Sequence, residues 1–284
     1  MAISGLSFLT FNIGNPSEQR AQRQLAWLAG RPEHVLVLTE TKASAGCRLL
    51  AEAFSAARWH VAYPVPGPGE YGVMIISRVQ AQPGDFATAV SYLPTRAASV
   101  TLPAPAGPIQ VIGAYAPSRD AGLEKTERKR KWLTACRAAL AACDPAIPAV
   151  FLGDLNILEP DHKPHYSFFA PFEYDFYRAL SAEHGLTDAF RYLHPASAEH
   201  SWVGRTGDGY RYDHAFCSGS LIPAISNCRY LHEPCHDGLS DHSALTAASC
   251  SPRRPRWQCP TRSRQPSPRR FSDPGRPLRP ASLS

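Results

Sequence analysis

Residues 150–160 read VFLGDLNILEP. Val150, Phe151 and Leu152 form the end of an apolar strand, and Gly153 permits a tight exit with unusual backbone angles. Asp154 and Asn156 follow at once, so two acceptor side chains stand at the C-terminal end of a buried strand. In open α/β sheets that rim is where ligands bind. Asp and Asn also favour turns for local hydrogen-bonding reasons, so the stretch alone reads equally as a catalytic edge or as a plain turn.

Outward from this point, residues 1–250 alternate strands and helices as one α/β unit. LSFLTFNI (6–13), HVLVLTE (34–40), YGVMIISR (71–78), AASVTL (97–102) and IQVIGAYAP (109–117) read as strands, and RYDHAFCS (211–218) and SDHSALTA (240–247) as two more. The 17–30 stretch reads as a helix with Ser17 as N-cap and Gly30 as stop. A longer helix spans 124–142, its basic start facing either solvent or a phosphate. Another runs from Tyr174 toward Phe190, stopped by Gly185. No internal repeat is present.

With 284 residues, 44% of them hydrophobic, the chain can bury a sizeable core. It holds no apolar window of membrane-spanning length, and its start lacks the basic region and cleavage site of a secretory signal, so a cytoplasmic, monomeric protein is expected. The eight cysteines include no CxxC pair, which argues for free, mostly buried thiols rather than zinc or disulfides.

The chain has 30 basic and 24 acidic residues, but nine of the first and one of the second lie in 251–284. That leaves 21 basic against 23 acidic in residues 1–250, so any nucleic-acid contact rests on local patches. Lys42, Arg119, Lys125, Arg205 and Arg211 are candidates, with Lys42 and Arg119 beside motif residues. The 251–284 segment is rich in Pro and Arg and nearly free of aliphatic residues, so it is expected to be disordered, as a basic arm or a solvated extension.

The polar residues at the strand ends form a list: Asn12, Glu40, Tyr115, Asp154, Asn156, Asp213, Asp241 and His242. Each has an ordinary structural explanation alone. Together, carboxylates, carboxamides and an imidazole beside several strands suit a hard divalent cation with a general base. No GxxxxGK[ST], GxGxxG or GxSxG motif occurs, so P-loop, Rossmann and serine-hydrolase chemistries lack support.

In order and spacing, TFNI, LTETK, YGVMIIS, GAYAPS, GDLNI, HSWVGR, YRYDHAF and LSDHSAL resemble the successive motifs of the endonuclease/exonuclease/phosphatase superfamily, nearest its exonuclease III and apurinic endonuclease branch. The resemblance runs from about residue 6 to 247. It implies a four-layer α/β sandwich, two mixed sheets packed face to face with helices outside. It also implies a Mg²⁺- or Mn²⁺-dependent phosphodiesterase, with Glu40 as principal ion ligand and Asn12 and Asp241 helping to place the ion. Asp154 and Asn156 would position and deprotonate the attacking water, His242, oriented by Asp213, would sit against the phosphate, and Tyr115 would contact it from the far side. Lys42, Arg119, Trp202 and Arg205 would bind substrate.

The substrate implied is DNA in repair, with a small or lipid phosphoester as the alternative on the same fold. Asn12 is followed by IGNPSEQR, a departure from the repair members. The aromatic insert EPDHKPHYSFFAPFEYDFY (159–177) is also unusual for the branch. A small-substrate enzyme is expected to show a closed pocket lined by residues 160–177, and a DNA enzyme a groove with basic walls. A catalytically idle binding protein is disfavoured, because every expected acidic, amide and imidazole position is filled.

Overall fold

A computed structural model describes residues 5–104 and 107–249. The 251–284 segment, with its expected disorder, lies outside the described residues. Along the chain run β1 (Ser7–Asn12), α1 (Glu18–Ala29), β2 (Val35–Thr41), α2 (Ala45–Ala56), β3 (His60–Ala62), β4 (Gly72–Ser77), β5 (Gln82–Pro83), α3 (Phe86–Ala89), β6 (Ala97–Leu102) and β7 (Ile109–Tyr115). The second half adds α4 (Leu123–Ala141), β8 (Ala149–Asp154), α5 (Pro171–Ala182), β9 (Leu186–Asp188), α6 (Ala189–Leu193), β10 (Trp202–Val203), β11 (Gly209–Tyr210), β12 (Asp213–Ser218), β13 (Ile225–Leu231), α7 (Glu233–His236) and β14 (Ala244–Ser249).

These strands build two six-stranded sheets, ordered β13-β14-β1-β2-β4-β3 and β5-β6-β7-β8-β12-β9, plus a β10-β11 ribbon. Both sheets are mixed: β1–β2 and β7–β8 run parallel, while β2–β4 and β8–β12 are antiparallel. Side chains alternate between faces along each strand. Val35 and Val37 therefore pack between the sheets with Val111, Val150 and Leu152, while Leu36 and Leu38 lie under Leu28 of α1 and Leu50 and Phe54 of α2. On the outer face of the second sheet, Phe151 and Phe216 meet Trp132 and Cys136 of α4 and Phe176 of α5. The result is the four-layer sandwich. With both faces covered, the strands read as continuous apolar runs rather than alternating ones.

Ser17 caps α1 by accepting the Arg20 N–H, and Gly30 closes it. Several elements go beyond the sequence reading, among them α2, β9 and β13. The helix expected to stop at Gly185 ends at Ala182, and β9 begins at Leu186 after Gly185 takes a φ of +62°. The strand expected over 240–247 starts only at Ala244, leaving Asp241 and His242 in the preceding loop. All six described cysteines are free and four of them are buried. Among the described residues no helix is long and apolar enough to cross a membrane.

Arg211, a candidate phosphate contact by sequence, is instead fully buried. Its guanidinium pairs with Asp188 at 2.7 Å and with Glu159, which also receives Arg191. Burial opposes ionisation of Asp188, but the Arg211 charge and the His214 contact outweigh it and hold the carboxyl far below its ordinary range. A buried guanidinium paired this way ties the loop after β8 to β9 and β12; it is unavailable to a ligand.

Gly153 lies inside β8 rather than at its exit. Its φ is +152°, and a Cβ there would stand 1.9 Å from the Ala114 carbonyl oxygen of β7. The parallel β7–β8 pair thus needs glycine at this position. Gly153→Ala is expected to destabilise the fold by about 2–5 kcal/mol, combining backbone strain with overpacking. Urea-denaturation midpoints of the two proteins measure it; equal midpoints would contradict the close approach.

Candidate active site

The register of the second sheet sets three site residues in one row. Tyr115 at the end of β7 pairs with Asp154 of β8, and Asp154 pairs in turn with Asp213 at the start of β12. Residues opposite each other in neighbouring strands project to the same face. In the first sheet, β1 ends on Asn12 beside β2. Glu40 is the extra residue of an irregularity in β2, where Thr39 faces Val73 and Thr41 faces Gly72, and its φ is +58°. A bulge re-aims a side chain, and here the one re-aimed is Glu40.

The fully buried Asn12 amide joins the two sheets. Its Nδ2 donates to Glu40 Oε2 at 3.0 Å and to Asp154 Oδ2 at 2.9 Å, while its carbonyl oxygen accepts the Gly14 N–H at 2.9 Å. Asn12 therefore offers its donors to the two carboxylates, and its side-chain oxygen is engaged by Gly14. Asp154 Oδ1 accepts the Asn156 N–H at 2.9 Å. Asn156 sits at a φ of +50° with its amide donating to the Ala116 carbonyl at 3.1 Å. Glu40 and Asn156 both occupy a backbone region that non-glycine residues rarely adopt, and such strain gathers at functional sites.

His242 Nδ1 lies 2.8 Å from Asp213 Oδ2. Burial works against the charged imidazole, but Asp213, with Asp154 and Asp241 beyond it, raises His242 to about 10. Burial, and then the nearby Asp213 charge, push Asp154 up to about 7. Burial with Glu40 and Asp154 close by keeps the Tyr115 hydroxyl protonated, well above its usual range. One ligand atom each from Asp154, Asp213 and His242 lie within 4.8 Å of one another, a group that could hold a metal ion. Asp213 Oδ1 is buried without a hydrogen-bond partner.

A cleft of about 470 Å³ opens over this centre and is lined by Glu40, Tyr115, Asp154, Asn156, Asp241 and His242. Its lining also includes the cations Arg96, Arg119, Lys125, Arg128 and Lys129 and the aromatic rings of Phe168, Phe169, Trp202 and Tyr212, with Arg119 packed on the Phe168 ring. The basic start of α4 thus faces the cleft rather than being a purely solvated face. Trp202 Nε1 donates to Asp241 Oδ2 at 3.0 Å, which fixes the ring at the edge of the site.

The family model described as Endonuclease/Exonuclease/phosphatase matches residues 9–242. The chain belongs to that family. Over 150 residues it is 29% identical to a DNA repair nuclease of Danio rerio, covering 48% of this chain and 47% of the relative. It thus spans about half the length of that curated relative. An AP endonuclease from Archaeoglobus fulgidus superposes with a TM-score of 0.72 at 23% identity, over 86% of this chain and 99% of that one. A 3′ phosphatase from Neisseria, solved with a product DNA hairpin, gives 0.71 at 24% identity over 86% and 99%. These two likenesses are of fold. All three relatives fall in the branch of the endonuclease/exonuclease/phosphatase family that the motifs resemble.

The structure brings ten of the fourteen residues singled out by sequence to the cleft wall or directly beneath it through the Asn12 amide: Asn12, Glu40, Tyr115, Arg119, Lys125, Asp154, Asn156, Trp202, Asp241 and His242. Asp213 stands behind His242. Lys42 lies outside the lining, its ammonium 4.1 Å from the Tyr71 ring centre. Arg205 is exposed in the turn between β10 and β11, away from the cleft wall. Arg96 and Lys129, which also face the cleft, carry no motif signal; both are buried cations at an element's edge or interior, a position that sequence alone reads as surface.

A raised Asp154 fixes a sign. Its contribution to stability is present below the ordinary carboxylate value and is lost as pH rises through about 7. Asp154→Asn removes that loss, so in EDTA the variant is expected to gain stability relative to the parent between pH 5 and pH 8. Urea midpoints across that range read the difference; a gain at pH 5 that shrinks by pH 8 would contradict it.

Proposed function

We propose that this protein is a divalent-metal-dependent phosphodiesterase acting on DNA in the manner of an apurinic endonuclease or exonuclease. The observation that carries the reading is the single cleft in which Glu40, Asp154, Asn156 and His242 converge among cationic and aromatic side chains. The relatives named above support the DNA assignment.

Carboxylate oxygens facing the cleft are the ligands a hard cation prefers, and Glu40 and Asp241 would hold Mg²⁺ or Mn²⁺. When bound, the ion supplies Lewis-acid polarisation of the phosphoryl group and charge neutralisation at the leaving oxygen. Asp154, raised to about 7, is poised to take a proton from the attacking water near neutral pH. Asn156 holds that water and a phosphoryl oxygen in line. His242 stays charged and donates from Nε2, because Asp213 accepts from Nδ1, stabilises the imidazolium and fixes the ring's orientation. The protonated Tyr115 hydroxyl donates from the opposite side. Phosphoryl transfer asks mainly for such positioning and charge complementarity.

A second reading, hydrolysis of a small or lipid phosphoester, is favoured by one observation. Arg119, Lys125 and Arg128 are each paired with a carboxylate, Glu173, Asp120 and Glu70 respectively, which reduces the cations free for a polyanion. The closed pocket expected for that reading does not form over the reaction centre. Residues 160–164 and 166 line a separate cavity of about 720 Å³ with Arg191 and His200, and only Phe168 and Phe169 of the insert reach the cleft.

The test is hydrolysis of a duplex carrying one abasic analogue, alongside bis-p-nitrophenyl phosphate, with Mg²⁺ or Mn²⁺ and with EDTA. Incision at the abasic position is expected, abolished by EDTA and lowered at least ~10³-fold in the Glu40→Ala/His242→Ala double variant. Turnover of the small diester with the duplex left intact would remove DNA and leave the second reading.

A further inference from the structure

Glu173 belongs to the first turn of α5, inside the aromatic insert, and its side chain is fully buried behind Arg119 and Lys129 of the cleft lining. Four groups converge on it. Oε1 receives the Lys129 ammonium at 2.5 Å. Oε2 accepts Arg119 Nε at 2.9 Å and the Ala170 N–H at 2.8 Å, with Arg119 Nη2 at 2.8 Å. Burial opposes the charge, but these partners outweigh it and keep the carboxyl below its ordinary range.

The two cations each hold something that faces substrate. Lys129, itself buried, donates to the backbone carbonyl of Asn156, the residue at a φ of +50°. Arg119 donates to the Phe168 carbonyl and lies 4.2 Å from the centre of the Phe168 ring. Phe168 and Phe169 line the cleft. One buried carboxylate thus connects the strained residue at the reaction centre to the wall supplied by the insert.

We propose that Glu173 is a positioning residue: through Lys129 it holds Asn156 in its strained conformation, and through Arg119 it locks the Phe168–Phe169 wall to the same frame. The role of Asn156 at the phosphate rests on the phosphoesterase reading above. In the absence of the carboxylate, the Lys129 ammonium is left buried without its counter-charge, and its grip on the Asn156 carbonyl relaxes. A side chain displaced by about 1 Å can cost on the order of 10²-fold in rate. The insert, on this account, is a part of the active site that acts at one remove.

A double-mutant cycle tests it. Glu173→Gln keeps the shape of the side chain and removes its charge. With bis-p-nitrophenyl phosphate and Mn²⁺, it is expected to lower kcat at least fivefold in the parent while changing kcat less than twofold in the Asn156→Ala background. KM for this small diester, which does not span the aromatic wall, is expected to stay within twofold. Equal fold-losses in the two backgrounds, or an unchanged kcat in the parent, would overturn the proposal. The side-chain amide resonances of Asn156, assigned from an Asn156→Asp variant, give a readout independent of turnover. They are expected to shift or broaden in Glu173→Gln, and unmoved signals in a folded variant would refute positioning. A parent enzyme inactive on every phosphoester would end the functional reading, while the resonances would still decide the role of Glu173.

Discussion

One carboxamide holds the two halves of this molecule in the relation that the site requires. Asn12 ends a strand of the first sheet, and its two amide hydrogens go to Glu40 on that sheet and to Asp154 on the other. A buried amide donating to two carboxylates is a charge-assisted arrangement, stronger than neutral hydrogen bonds and costly to leave half made. It also sets a spacing: the two carboxylates can approach each other no closer than the amide between them permits. The sandwich core brings the strand ends near; the amide determines how near.

The same closeness creates an electrostatic problem inside the second sheet. The β8–β12 register puts Asp154 directly opposite Asp213, both nearly or wholly out of water. Two like charges at such a distance cannot both ionise without compensation. His242 supplies it, taking a full charge against Asp213, while burial first and the Asp213 charge second raise the Asp154 carboxyl to about 7. A positive charge near Asp154 would offset both and favour its ionised form, the one that accepts a proton. The destabilising arrangement is thus what makes the centre receptive to a positive charge, and Glu40 and Asn156, at positive φ on either side of it, add backbone strain to the same account.

Much of this was legible from sequence, and the reason differs between fold and site. Apolar runs such as VLVLTE and VFLGD announce strands buried on both faces, and the spacing of polar residues at their ends marks one rim. What the runs cannot convey is which side chains at that rim point together, since that depends on registers such as Tyr115–Asp154–Asp213 and on the irregularity at Glu40. β9 is three residues between two helices, too short for any period to register. Arg211 and Lys129 look like surface cations in the sequence because charge normally marks exposure. Only their partners, Asp188 with Glu159 and Glu173 with the Asn156 carbonyl, show them to be internal struts.

The fate of the cations explains how residues 1–250, with 21 basic against 23 acidic side chains, can line a cleft with positive charge. Arg119, Lys125 and Arg128 each face the cleft with a carboxylate already in hand, and Lys129 shares Glu173 with Arg119. Arg96 differs. It is 3% exposed, lies 4.8 Å from the Tyr115 ring centre and 5.4 Å from that of Tyr71, and has no carboxylate pair among the described residues. Aromatic faces stabilise a guanidinium without neutralising it, so the positive potential beside Tyr115 survives where paired charges further out largely cancel. A field of that shape attracts an anion to one point of the cleft more than along its length. It therefore favours recognition of the phosphate at the reaction centre over tight, sequence-indifferent tracking of a long polyanion.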